Sequence, residues 1–287
     1  MSSRTTTVVQ SRLERGYSVA SALTLDVRVL GPLQVWSRER PVELGPARQR
    51  AVLSALLLTP GQVVAPERLK EAVWPQNPPR AAMANLHSYV SNLRRKLEPN
   101  SPPRSRNQIL RRELSGYVLD VDTDLIDACR FEQLLRDGRR LLLTGQLQRA
   151  GATLEACLAL WRGSPYAEMR DYEPAAHAAA RLEELRLLAL ESRWEAELLH
   201  GRDPSVIAAD LATVSQKFPT RERLSWLHMQ ALYRAGRQAE ALKVYHQTRT
   251  LLADEYGVDP GPELQELFGT ILRGASAASP VSPGPVG

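Results

Sequence analysis

Hydrogen-bond donors gather along one stretch, Pro78 to Leu97, which reads PPRAAMANLHSYVSNLRRKL. Its periodicity predicts a helix. With Leu86 at 0° on a helical wheel, Val90, Leu93 and Leu97 fall within about 40° and make one apolar stripe. The opposite face carries Arg80, Ala81, Ala84, Ser88, Ser91, Asn92 and Arg95. That face is small, polar and basic, and the first acidic residue after it is Glu98. Such a surface fits the roughly 12 Å major groove of duplex DNA and offers donors to base edges and phosphates. Asn92 and Arg95 carry the groups that pair with adenine and guanine edges, and a phosphate suits Arg95 equally well. Arg94 and Lys96 flank the face within reach of phosphates. A solvated surface helix can also be basic, but such helices usually mix charge signs.

The elements that would hold this helix are legible on both sides of it. Leu23, Leu25, Val27 and Val29 alternate as a half-buried strand, Leu33 to Trp36 follows after a Gly31-Pro32 turn, and Pro41 to Leu44 is a short third strand. Ala47 to Leu58 reads as a helix with Val52, Leu53, Leu56 and Leu57 inward and Arg48 and Arg50 outward as phosphate candidates. Val63 and Val64 lead to a helix opening at Pro66, with Leu69, Val73 and Trp74 facing the core. Pro75-Gln76-Asn77-Pro78-Pro79 then connects to the basic helix, a longer link than the 3–4 residue turn of a tight helix-turn-helix. Its prolines stiffen it, so it serves either as a spacer or as an exposed contact for a protein partner. Downstream, Gln108 to Arg112 and Tyr117 to Val121 predict a hairpin around Glu113 to Gly116, a wing. Arg111 and Arg112 at its tip could reach phosphates or the minor groove, or stay solvated.

Charge follows the same division. The net formal charge of the 287 residues is +5, but residues 1–122 hold 18 Lys and Arg against 10 Asp and Glu, whereas residues 123–287 hold 19 against 22. A basic half joined to a mildly acidic one suits a nucleic-acid module followed by a segment that need not touch nucleic acid. From Asp124 the composition is helical. Gly145 and Gly236 are each followed five residues on by an alanine, Ala150 and Ala241, and Gly201 lies 35 residues before Gly236. That spacing approaches the 34-residue tetratricopeptide period, irregularly repeated. Trp161, Trp194, Trp226, Tyr233 and Tyr245 are expected in its core. Residues 1–22 and 274–287 read as disordered tails.

Catalytic and metal chemistry leave no pattern. The five histidines, His87, His177, His200, His228 and His246, are scattered, and Cys129 and Cys157 have no metal-ligand spacing. No Walker-type or dinucleotide-binding glycine motif occurs, and the adjacent acids Glu183-Glu184 and Asp254-Glu255 suit a solvated surface. No cofactor, metal or enzymatic activity is expected. The cysteine usage suits a reducing cytoplasm, no apolar run is long enough to span a membrane, and Arg12, Glu14 and Arg15 interrupt any signal-peptide core.

The segments RQRAVLSALLLTPGQVV, ERLKEAVWPQNPPRAAMANLHSYVSNLRRKL and GYVLDVDTDLIDACRFEQLL resemble the Streptomyces antibiotic regulatory proteins (the SARP family), and the likeness runs from about Leu23 to Leu272. The segment LHMQALYRAGRQAEALKVYHQTRTLLADEYGVDPGPELQEL resembles the bacterial transcriptional activation domain of that family. One departure lies at the wing: where the family often has Arg-Gly-x-Gly-Tyr, this chain has Glu113-Leu114-Ser115-Gly116-Tyr117. The resemblance implies a mainly α fold with a small antiparallel β part. An OmpR-type winged helix-turn-helix over residues 23–122 would precede an α-helical tetratricopeptide-like activation domain over 123–273. No receiver or ATPase module is read in the sequence. The resemblance also implies an activator of a secondary-metabolite gene cluster, bound as a head-to-tail pair to direct repeats near the −35 element of promoter DNA. It would recruit RNA polymerase holoenzyme, sigma factor and core subunits, with Pro75, Gln76 and Asn77 as contact candidates, and act in the cytoplasm at the nucleoid. A repressor of the same fold, or a tetratricopeptide-like interaction scaffold, would share these patterns.

If about six phosphates are neutralised, affinity for duplex DNA falls by roughly three decades between low and moderate salt. A salt titration of binding checks this, and a flat response would argue against the footprint.

Overall fold

The computed structural model describes residues 25–99 and 108–274. The predicted disordered tails therefore lie outside the described residues, Gly274 excepted, as do residues 100–107 between the basic helix and the wing. The described chain divides into two compact units. One holds residues up to Leu134 together with Cys157–Arg186, and the other Leu135–Ala156 together with Leu187 onward.

In the first unit the alternating apolar residues form strand β1, Leu25–Arg28, with Leu25 and Val27 buried. It pairs antiparallel with β2, Gln34–Ser37, in the register Val27 to Val35, and β2 pairs with β3, Arg40–Pro41. The third strand thus comes earlier than the predicted Pro41 to Leu44. Helix α1 is Ala47–Leu57 and α2 is Pro66–Val73, with proline in the first turn of α2 as expected. Helix α3 is Ala82–Leu97, four residues shorter than the predicted helix. The prolines keep the preceding backbone out of helical geometry, so Arg80 sits ahead of α3 rather than on it. Leu86, Val90, Leu93 and Leu97 are buried, and the stripe packs α3 on α1 and α2.

The second sheet contains the predicted hairpin and one strand more. Strands β5, Leu110–Glu113, and β6, Gly116–Leu119, turn at Leu114-Ser115. A third strand, β4 at Val63–Val64, pairs with β6, so the order is β4-β6-β5. Gly116 is fixed by this pairing: a Cβ there would lie 2.1 Å from the Val64 carbonyl oxygen. The wing tip is therefore Leu114-Ser115, and Arg111 and Arg112 stand on β5.

Seven α-helices follow among the described residues: α4, Asp127–Leu143; α5, Leu147–Ala159; α6, Glu173–His200; α7, Pro204–Lys217; α8, Glu222–Arg234; α9, Gln238–Tyr256; and α10, Pro262–Leu272. The corner glycines Gly145 and Gly236 adopt φ of +73° and +75°. In the second unit Trp194, Ile207, Leu211, Leu224, Leu227, Met229 and Tyr245 share one core, with Trp226 and Tyr233 partly buried against it. Trp161 does not join them. It packs edge-on against Phe131 in the first unit, 5.2 Å between ring centroids, with the Arg186 guanidinium 4.7 Å from its ring centre.

Asp127 fastens the first unit internally. Its carboxylate accepts the backbone N–H of Val29 at 2.7 Å and of Leu30 at 3.1 Å, and Arg162 lies 3.5 Å away. Arg130 reaches Asp26 at 2.7 Å, and the backbone N–H groups of Arg162 and Tyr166 donate to Leu30 and Val29. Segments beyond residue 122 thus complete the hydrogen bonding of the first sheet. Burial outweighs these donors and raises the Asp127 carboxyl above its ordinary 3.8.

Removing the carboxylate leaves two buried N–H groups unpaired, so Asp127→Ala is expected to lose about 2–5 kcal/mol. A raised folded pKa favours the native state most below the ordinary value, and that contribution is lost as pH rises through the folded value. Urea unfolding across this range should therefore show the advantage of the wild type over Asp127→Asn shrinking as pH increases. An advantage that widens would contradict it.

Candidate nucleic-acid interface

Burial of the Leu86 stripe points the other side of α3 outward. Ala84, His87, Ser88, Ser91 and Arg95 are exposed, and Asn92 is half-buried. No acidic residue occurs from Ala82 to Leu97. Ser88 Oγ turns its hydrogen back onto the Ala84 carbonyl at 3.1 Å. Arg95 Nη2 donates to Asn92 Oδ1, which holds the two side chains together across one turn of helix. Basic residues close the helix, where cations also meet the negative end of its dipole.

The remaining arginines separate by their partners. Arg94 Nε donates to the Leu110 carbonyl at 2.8 Å, and its guanidinium lies 5.8 Å from the centre of the Tyr117 ring. Burial pulls its pKa below the ordinary arginine value. Arg94 thus ties α3 to the wing sheet. Arg50 pairs with Glu168 Oε1 at 2.8 Å, and the same oxygen accepts the Leu33 N–H at 2.9 Å. Arg48 is exposed, its guanidinium 5.8 Å from the Trp74 ring centre, while Trp74 stacks on Tyr89. Arg111 bridges Glu113 and Asp120 at 3.0 and 2.8 Å, whereas Arg112 is exposed, its guanidinium 5.9 Å from the centre of the Tyr117 ring. Lys96 is half-buried, and Arg80 and the connection Pro75, Gln76 and Asn77 are exposed.

The chain therefore brings Ser88, Ser91, Asn92 and Arg95 onto one surface and leaves Arg48, Arg80 and Arg112 exposed. It engages Arg50, Arg94 and Arg111 with protein acceptors. Two exposed residues escape the sequence pattern. His87 sits at the edge of the α3 face, about 100° from the apolar stripe. Leu114 is fully exposed at the wing turn, within the predicted Glu113 to Gly116, but its apolar side chain gave no polar signal.

Glu98 closes the site's far edge. Its buried carboxylate accepts the N–H groups of Gln108 and Ile109, both at 2.7 Å, and so clamps the start of the wing to the end of α3. Among the described residues no group of three or more His, Cys, Asp or Glu side chains could hold a metal ion, and no helix is long and apolar enough to cross a membrane.

A three-helix core with a flanking hairpin, a basic outward helix face and helical hairpins beyond it define a class, the winged-helix transcriptional regulators. Comparison with known proteins places the chain within that class. Residues 39–119 match the model described as transcriptional regulatory protein, C terminal, and residues 126–272 the bacterial transcriptional activator domain. The regulatory protein DnrI of Streptomyces peucetius is 33% identical over 87% of this chain and 92% of its own length. The regulatory protein AfsR of Streptomyces griseus is 37% identical over 88% of this chain, which spans only 25% of AfsR. A solved structure of Mycobacterium tuberculosis EmbR, in complex with a low-affinity phosphopeptide, superposes with a TM-score of 0.81 at 36% identity, covering 88% of this chain and 66% of that one. The chain belongs to the SARP family of transcriptional activators, an OmpR-type winged helix followed by a helical activation domain.

The two neighbouring arginines of α3 should part company on substitution. Arg95→Ala is expected to weaken operator binding with the thermal unfolding midpoint unchanged. Arg94→Ala should lower that midpoint, by about 1–3 kcal/mol in stability, because it deletes a half-buried charged donor. Mobility shift and circular dichroism on the same preparations check both, and a reversed pattern would exchange their roles.

Proposed function

We propose that this protein is a pathway-specific activator that seats α3 in the major groove of promoter DNA and switches on a secondary-metabolite gene cluster. The observation that carries this reading is the exposed, acid-free face of Ala84, Ser88, Ser91, Asn92 and Arg95, held outward by the buried stripe behind it. Arg112 on the wing and Arg48 at α1 add exposed cations for phosphates. The names of DnrI and AfsR, regulatory proteins of Streptomyces, support the regulatory reading. The operator would be a direct repeat near the −35 element, filled by two copies head to tail. RNA polymerase holoenzyme, through its sigma factor and core subunits, would be the second partner, with the exposed connection Pro75, Gln76 and Asn77 as its contact. The site of action would be the cytoplasm, at the nucleoid, and neither cofactor nor metal enters the scheme.

A footprint of the full-length chain on its own genomic neighbourhood, followed by a reporter driven by the protected promoter, tests this reading. The expected result is a repeated footprint beside the −35 element and a rise in reporter output. Changing Gln76 and Asn77 together to alanine should keep the footprint and lower the output. A fall in output on adding the wild-type protein would make it a repressor.

A further inference from the structure

We propose that Asn92 is a positioning residue for Arg95, and that the pair reads one guanine rather than an adenine and a guanine separately. This rests on the DNA-binding reading above. The two side chains lie three residues apart on the outward face of α3, and Arg95 Nη2 donates to Asn92 Oδ1. An arginine side chain has five N–H donors and no acceptor. The Asn92 amide must therefore turn its oxygen, and not its nitrogen, toward the guanidinium. Bidentate recognition of adenine needs that oxygen to accept from N6 while the amide nitrogen donates to N7. The Arg95 bond takes one lone pair of Oδ1 and sets the plane of the amide, so Asn92 is turned toward the guanidinium and away from the paired contact with adenine.

Arg95 gives up one donor of five and keeps a fork for O6 and N7 of guanine. Tethered at Asn92, a long exposed side chain surrenders less freedom when it meets the base. No carboxylate from Ala82 to Leu97 competes for it. The half-buried Asn92 is the more fixed member of the pair, and the exposed Arg95 the one that reaches outward.

The test begins with operators selected from random duplexes by the full-length wild-type chain. Binding is then measured on every single-base variant of the operator for wild type, Arg95→Ala, Asn92→Ala and the double variant. Arg95→Ala should lose about tenfold or more in affinity and abolish the preference at one G·C pair. Asn92→Ala should flatten the preference at that same pair with a smaller loss, and the double variant should bind no worse than Arg95→Ala. Unfolding midpoints should match throughout. Flattening at a different pair, an A·T pair, with losses that multiply in the double variant, overturns the proposal. So does an Asn92→Ala profile identical to the wild type. A wild-type chain with no base preference at any position removes the DNA-binding reading itself, and the proposal with it.

Discussion

Burial of four side chains, Leu86, Val90, Leu93 and Leu97, decides the orientation of α3, and with it the orientation of every polar group that helix carries. Each is at most 2% exposed, so the seat leaves no room for the helix to rotate without exposing apolar surface. One such leucine fully exposed would cost about 1.5–3 kcal/mol, and a quarter-turn would expose more than one. The outward face is therefore fixed by what the inward face cannot give up. The donors of Ser91, Asn92 and Arg95 share a surface because the apolar stripe opposite them is whole.

Around that seat, arginines divide between structure and surface. Arg94 and Arg50 belong to the fold: one secures the wing sheet to α3, the other answers Glu168 beside α1. Arg111 is neutralised within the wing. Arg48, Arg80, Arg95 and Arg112 stay exposed. Glu98 contributes differently, since its buried carboxylate holds two backbone N–H groups at the start of the wing.

The recognition stripe was legible because its periodicity lives within a single helix. Beyond residue 123 the helical composition and the corner glycines Gly145 and Gly236 were legible, because a left-handed corner after a helix favours glycine. The pairing of β4 with β6 was not, because Val63 and Val118 are far apart in the chain and two valines carry no alternation to count. The turn itself fell where the hairpin pattern put it, between Glu113 and Gly116, so Arg111 and Arg112 stand on β5 and not at the tip. Asp127 was invisible for a sharper reason: it caps backbone groups 98 and 97 residues away, and its local sequence reads only as the start of a helix. Charge sign alone could not tell Arg50, which meets Glu168 118 positions on, from Arg48 two residues before it.

The two compact units also cut across the sequence order. The sheet at the front of the winged helix takes its hydrogen-bond partners from Asp127, Arg162 and Tyr166, residues within the span matched to the activator domain. A boundary drawn at residue 122 would strip these backbone groups of their partners.

Seating of the outward face of α3 in the major groove can be read by dimethyl sulfate protection of an operator duplex, because the reagent methylates guanine N7 in the major groove and adenine N3 in the minor. The full-length chain is expected to shield N7 of guanines within its footprint, and Ser91→Glu, a charge set in the middle of the face, to abolish the shielding. Tight binding that leaves those N7 positions open would contradict it.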